Sequence, residues 1–163
     1  MKKRIEFPLF ELTAISILLS VLLIFALPKF VDVGREARIK TLNAVAQNLD
    51  AVNRLMYSRA VIKNVQNVPL QHSAVLGGED ADVYLVYGEL RAEQNDLSNI
   101  GISPLISFEK TNQSEEIRLY LKNYQNEGCY INYHQASLVD DVNTPTVSPA
   151  IKKAHYDIQH VDC

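Results

Sequence analysis

The sequence predicts an α+β protein in which a long, kinked N-terminal helix packs on an antiparallel β-sheet and a disulfide bounds the C-terminal region. Three observations lead to this prediction. An unbroken apolar run lies near the start, apolar residues then recur at helical spacing, and short stretches of the C-terminal half alternate apolar with polar residues. The 163 residues suit a membrane-type segment followed by one head domain.

Composition indicates a folded domain and argues against binding to nucleic acid. Hydrophobic residues make up 47% of the chain and charged residues 21%, which is typical of a folded domain. The formal net charge of -3 provides no basic field of the kind that nucleic-acid binding requires. We therefore expect no nucleic-acid partner.

The apolar run from Phe7 to Pro28 contains one charge, Glu11, and follows the basic residues Lys2, Lys3 and Arg4. About 22 helical residues span roughly 30 Å, the thickness of a bilayer core. Basic residues beside a span stay on the cytoplasmic side. The sequence therefore predicts one membrane span with the head outside.

Two other interpretations of this run remain open. A cleaved secretory signal needs a shorter apolar core and a small-x-small site, whereas Ala26-Leu27-Pro28 continues into a helical pattern. A plain membrane anchor leaves Glu11 unexplained, because an ionised carboxylate in hydrocarbon is costly without a partner. Glu11 is therefore a candidate functional residue.

Beyond Pro28 the spacing predicts that the helix continues to about residue 62, with a kink at this proline and a second soft point at Gly34. The apolar stripe should form the core against the sheet. It comprises Ile39, Leu42, Val45, Ala46, Leu49, Val52 and Met56.

Residues 65–69 should end the helix, and the acidic stretch with Glu79, Asp80 and Asp82 indicates a solvated turn rather than a calcium loop. Strands are predicted at 83–87, 106–109, 117–121, 129–134 and 156–161, a short helix over 89–98, and an exposed loop across 140–149.

The two cysteines, Cys129 and Cys163, are expected to form one disulfide, because the chain also has a membrane signal. Two unrelated buried thiols are the alternative. The histidines are His72, His134, His155 and His160, and none has a partner at metal-ligand spacing on a helix. We expect surface or structural histidines, no metal, no cofactor and no enzymatic activity.

The order Lys2-Lys3-Arg4, Phe7, Glu11 and Pro28 resembles the N-terminus of type IV pilins and pseudopilins. The resemblance implies that a prepilin peptidase removes residues 1–6 and that the new N-terminus at Phe7 is methylated. It also implies that Glu11 directs assembly and that Pro28 kinks the helix. Residues 7–28 would form the filament core and residues 29–163 the head, with the αβ-roll layout of pilins and a disulfide region over 129–163.

The chain also departs from this pattern. The family nearly always has glycine before the cleavage point, where this chain has Glu6, and Pro8 replaces a small polar residue. Gly128-Cys129-Tyr130-Ile131-Asn132-Tyr133 and other short matches are most similar to pilins of the mannose-sensitive haemagglutinin type.

The resemblance implies a structural subunit of a type IV pilus that serves surface adhesion. Such a subunit resides in the bacterial inner membrane and then in a cell-surface pilus. Its partners would be further copies or other pilins, the prepilin peptidase and the assembly platform. The alternatives are a minor pilin or type II secretion pseudopilin that primes or tips a filament, and a membrane-anchored head that never assembles.

Overall fold

A computed structural model describes residues 9–76, 82–102, 104–113, 115–124, 128–139, 150–161 and 163. The chain divides into two compact units, Met1–Ala37 and Arg38–Cys163. Helix α1 (Leu9–Ile62) contributes to both units, and the second unit also contains α2 (Gln94–Asn99) and the strands. The predicted α+β class is confirmed.

The described strands form three antiparallel sheets. The first has the order β1-β2-β3, from β1 (Gln71–His72), β2 (Tyr84–Val86) and β3 (Glu89–Leu90). The second has the order β4-β5-β6-β9, from β4 (Ile106–Lys110), β5 (Glu116–Leu121), β6 (Cys129–His134) and β9 (His155–His160). The third pairs β7 (Ser137–Val139) with β8 (Ala150–Lys152).

One hydrophobic core joins α1 to the strands of the second unit. Side chains at helical spacing on α1 are buried with alternate residues of β5 and β6, as expected for a helix stripe and half-buried strands. The α1 members of this core are Leu42, Val45, Ala46, Leu49, Met56 and Ala60, with Ile39 and Val52 packed against it. The apolar stripe predicted from the sequence therefore forms the core.

The predicted helix across 89–98 is wrong in its first half. Glu89 and Leu90 form β3, paired with β2 through a two-residue turn, and α2 begins only at Gln94. The turn residues Tyr87 and Gly88 have φ values of 50° and 81°, as a primed hairpin turn requires. A Cβ on Gly88 would come within 3.0 Å of the Ala60 Cβ, so the turn also needs glycine for space.

Sequence reasoning also missed β1, β7 and β8, which contain two or three residues each. Strands that short do not display an apolar alternation, and pairing alone defines them. The exposed loop predicted over 140–149 and the acidic pair Glu79 and Asp80 lie outside the described residues.

Candidate functional site

The first candidate site is the surface of the apolar part of α1. The segment Phe10–Leu27 has a mean hydropathy of 2.4, and none of it is buried. Its large apolar side chains are 47% to 81% exposed: Phe10, Leu12, Ile15, Ile17, Leu18, Leu19, Val21, Leu22, Leu23, Ile24, Phe25 and Leu27. A helix that is apolar on all sides requires lipid or other protein around it.

By length and composition this segment can cross a membrane, and its position suits either a membrane anchor or a signal sequence. Its three hydroxyl groups also donate hydrogen bonds to carbonyl oxygens of the same helix. Thr13 donates to the Phe10 carbonyl at 2.8 Å, Ser16 to Thr13 at 2.9 Å and Ser20 to Ser16 at 2.8 Å. The segment therefore has few polar groups that need a hydrogen-bond partner from outside the helix.

Glu11 is the exception. It lies in the first turn of α1 and is the segment's only ionisable side chain. It is exposed, and no hydrogen bond or ion pair joins it to another residue that the structure describes. A carboxylate on an apolar helix needs a partner from outside the helix, because hydrocarbon offers none.

The other candidate functional residues from the sequence are Glu6, Phe7, Pro28, Cys129 and Cys163. Glu6 and Phe7 lie outside the described residues. Pro28 lies within α1, which continues past it, so the predicted kink stays a prediction. Cys129 and Cys163 form the predicted disulfide, with a Cα–Cα distance of 4.8 Å.

Arg38 connects α1 to the disulfide region, which sequence reasoning did not predict. Its guanidinium donates to the carbonyl oxygen of Cys163, with the Nε at 2.9 Å, and lies 4.8 Å from the centre of the Tyr124 ring. The disulfide and this cation together tie Cys163 to a strand and to a helix. No sequence motif marks such a contact across 125 residues.

A buried polar network centres on Asn53 and Tyr133. The Asn53 amide donates to the Tyr133 hydroxyl at 3.1 Å and accepts from the Leu90 amide at 2.9 Å, and that hydroxyl donates to the Leu90 carbonyl at 2.8 Å. Burial raises the pKa of Tyr133 well above its usual range. The network joins α1, β3 and β6 and leaves each of these polar groups paired.

Glu89 is a second buried polar residue beside this network. Its Oε2 accepts a hydrogen bond from the Ala154 amide at 2.5 Å. Desolvation by burial raises the pKa of the Glu89 carboxyl above 4.5, although the Ala154 hydrogen bond and the Lys153 charge act in the opposite direction. The group therefore holds its proton more tightly in the folded protein.

A groove of about 510 Å³ opens on the head, lined by Pro69, Leu70, Val86, Tyr87, Arg91, Glu115, Gln135, Ala136, Ser137 and Leu138. Two of its polar side chains already form hydrogen bonds with other groups of the head. Arg91 donates to Asp96 at 2.6 Å, and Gln135 accepts from the Ala92 amide at 3.0 Å. The groove therefore offers few convergent groups for a specific ligand.

No protein-family model, no curated protein and no solved structure matches this chain.

Proposed function

We propose that this chain is a filament subunit of the type IV pilin class, held in a membrane by its N-terminal helix and assembled through that same helix. The observation that carries the proposal is the apolar segment Phe10–Leu27, exposed on all sides, with its hydroxyls paired internally and one carboxylate left at Glu11. A static anchor needs the apolar residues but has no use for the carboxylate.

The mechanism follows from the difference between lipid and a filament core. Lipid tails are as apolar as leucine, so moving the segment into a helix bundle gains little hydrophobic free energy. The environment of Glu11 changes much more, because a neighbouring subunit can bring a cation to it. An α-amino group released at Phe7 would serve, and a desolvated ion pair of this kind sets the axial register.

Repetition of this head-to-tail contact produces an open filament rather than a closed ring. The heads, including the disulfide region, would form the outer surface, and adhesion is the outcome that the haemagglutinin-type resemblance suggests. In this proposal the partners are other copies, the prepilin peptidase and the assembly platform.

Glu11→Gln tests the assembly role, because it keeps the size of the side chain and removes the charge. We expect the variant to insert in the membrane at the normal level but to be lost from sheared surface filaments. Ser16→Ala is the matched control, since its hydroxyl bonds only within the helix. Normal incorporation of Glu11→Gln would rule out the register role.

Processing is tested by intact mass and N-terminal sequencing of chains from sheared filaments and from membranes. A methylated Phe7 at the start of the filament chain is the expected result. A chain that begins at Met1 and occurs only in membranes would instead support an anchored head that never assembles.

A minor pilin or secretion pseudopilin is the second candidate, favoured by Glu6 at the position where the family has glycine. Quantitative mass spectrometry of purified filaments separates the two. A major subunit should make up most of the filament mass, whereas a priming or tip subunit should be present at a few copies per filament.

A further inference from the structure

The outer face of the four-stranded sheet gathers histidines and carboxylates that are distant in sequence. The β5-β6-β9 register places Glu116 opposite His134 and His134 opposite His155, in one row across three strands. Asp157 lies two residues beyond His155 and therefore on the same face of β9. These residues are unrelated to the helix surface on which the proposed function rests.

Two nitrogens of one histidine face two carboxylates. The His134 Nδ1 is 3.6 Å from the Glu116 Oε2, and its Nε2 is 3.6 Å from the Asp157 Oδ2. The His155 ring stacks on the His134 ring with 4.6 Å between centres and 11° between planes. One ligand atom from each of His134, His155 and Asp157 lies within 4.8 Å of the others.

Contacts with the residues that the structure describes leave nitrogens of His134 and His155 without a hydrogen bond. A separation of 3.6 Å is too long for a hydrogen bond, so His134 is near two carboxylates without bonding to either. The Nδ1 of His155 is buried and has no hydrogen-bond partner among the residues that the structure describes. A buried nitrogen that no described protein group bonds, beside a histidine and a carboxylate, is available to a ligand from outside the protein.

We propose that His134, His155 and Asp157 bind a divalent transition-metal ion, with Zn²⁺ as the best fit to two imidazoles and a carboxylate. Donor atoms around tetrahedral zinc are about 3.3 Å apart. The 3.6 Å between the His134 Nε2 and the Asp157 Oδ2 is close to that value. The His134 and His155 rings lie within 11° of parallel, so one ring must turn out of the stack before both can direct a nitrogen at the same ion. Three protein donors leave one position for water or an outside ligand.

Glu116 is a positioning residue in this site. Its side chain is only 8% exposed and lies 3.6 Å from the His134 Nδ1, so a small closing movement would let it accept a hydrogen bond from that nitrogen and orient the ring while the Nε2 faces the metal. The ion would connect β6 to β9 at the His134 end of the pair, whereas the disulfide holds Cys129 at the opposite end. Metal binding should therefore stabilise the head.

The test is titration of the full chain in detergent micelles with Co²⁺, whose visible absorption reports the donor set, followed by competition with Zn²⁺. We expect one ion per chain. Asp157→Asn is the deciding variant because its side chain is 63% exposed and the change should leave the fold intact. We expect this variant and His155→Gln to bind at least about 100-fold more weakly, and Glu116→Gln about tenfold.

His72→Gln and His160→Gln are the matched controls and should bind like the unmodified chain. His72 contacts Asp82 elsewhere on the head, and His160 lies at the far end of β9. Two results would overturn the proposal. One is unchanged affinity in Asp157→Asn, and the other is a loss of binding in His72→Gln alone, which would place the ion at the His72–Asp82 pair.

Discussion

Two stretches of helix α1 place their apolar side chains in opposite environments. Between Phe10 and Leu27 the apolar side chains are exposed on every side, whereas from Leu42 to Ala60 one stripe of apolar side chains is buried and mostly polar residues occupy the other faces. The hydroxyls of the first stretch bond back to their own helix. Asn53 of the second stretch instead bonds across to β3 and β6.

Apolar content alone does not define the role of a helix. The second stretch is complete within its chain, because its core and its polar network are internal. The first stretch has an apolar surface and a carboxylate that the described part of the chain does not satisfy. Substitutions in the first stretch should therefore affect location and assembly, and those in the second should affect head stability.

A matched pair of substitutions on α1 tests this contrast most strongly. Leu49 is fully buried, so Leu49→Ala should lower the free energy of unfolding of the head by about 4 kcal/mol through lost contacts and a cavity. Leu22 is 59% exposed, and Leu22→Ala should change that free energy by less than about 0.5 kcal/mol. Urea unfolding in micelles, followed by tyrosine fluorescence, measures both.

Tyrosine fluorescence suits this measurement because the chain has eight tyrosines and no tryptophan. All the tyrosines belong to the second unit: Tyr57, Tyr84, Tyr87, Tyr120, Tyr124, Tyr130, Tyr133 and Tyr156. Equal losses from the two leucine substitutions would refute the contrast.

Removing the disulfide should have the next largest effect. The bridge joins residues 34 apart, and in the loop-entropy model this stabilises the head by roughly 3 to 4 kcal/mol. Replacing Cys129 and Cys163 by alanine together should make the head sensitive to protease while the chain stays in the membrane. An unchanged digestion pattern would contradict the structural role of the bridge.

Tyr133→Phe should cost roughly 1 to 3 kcal/mol, because it removes the hydroxyl that pairs with Asn53 and with the Leu90 carbonyl. Tyr130→Phe is the control on the same strand. Tyr130 is half-buried, and its ring, which the phenylalanine retains, faces Arg118. If the two variants unfold at the same urea concentration, the buried network contributes nothing specific.

The smallest expected effect concerns pH. Because the pKa of Glu89 is raised on folding, the folded state binds more protons than the unfolded state as pH rises above about 4.5. The contribution of Glu89 to stability should therefore fall with rising pH through that window and be constant below it. Glu89→Gln should flatten this part of the stability profile, and an identical profile in both proteins would show that Glu89 does not contribute.

Much of the fold could be predicted because its signals are local. Helical spacing predicted α1 to residue 62, a β-branched and aromatic run predicted β2, and alternation predicted β4 and β5. With β6 and β9, these predicted strands lie within one residue of their observed ends. The very short strands could not be predicted, since two or three residues display no period. The described strands form three sheets where the sequence predicted one, because strand partners depend on residues far apart in sequence.

The proposed metal site shows the same limit. His134 and His155 looked unrelated because 20 residues separate them in sequence, and only the β6-β9 register makes them neighbours. Asp157, two residues beyond His155, is the one local hint, since positions i and i+2 of a strand share a face. That spacing is too common to indicate a site without the cross-strand partner.

The apolar segment, its one carboxylate at Glu11, the helical stripe and the two cysteines can all be read from local sequence, because composition and periodicity are properties of neighbouring residues. Only the folded chain shows which residues that are distant in sequence come into contact. Asn53 hydrogen-bonds to Tyr133 in the core, and Arg38 hydrogen-bonds to the Cys163 carbonyl. The strand register places His134 opposite His155. Such contacts depend on the free energy of the whole packed chain, which no local window of sequence contains.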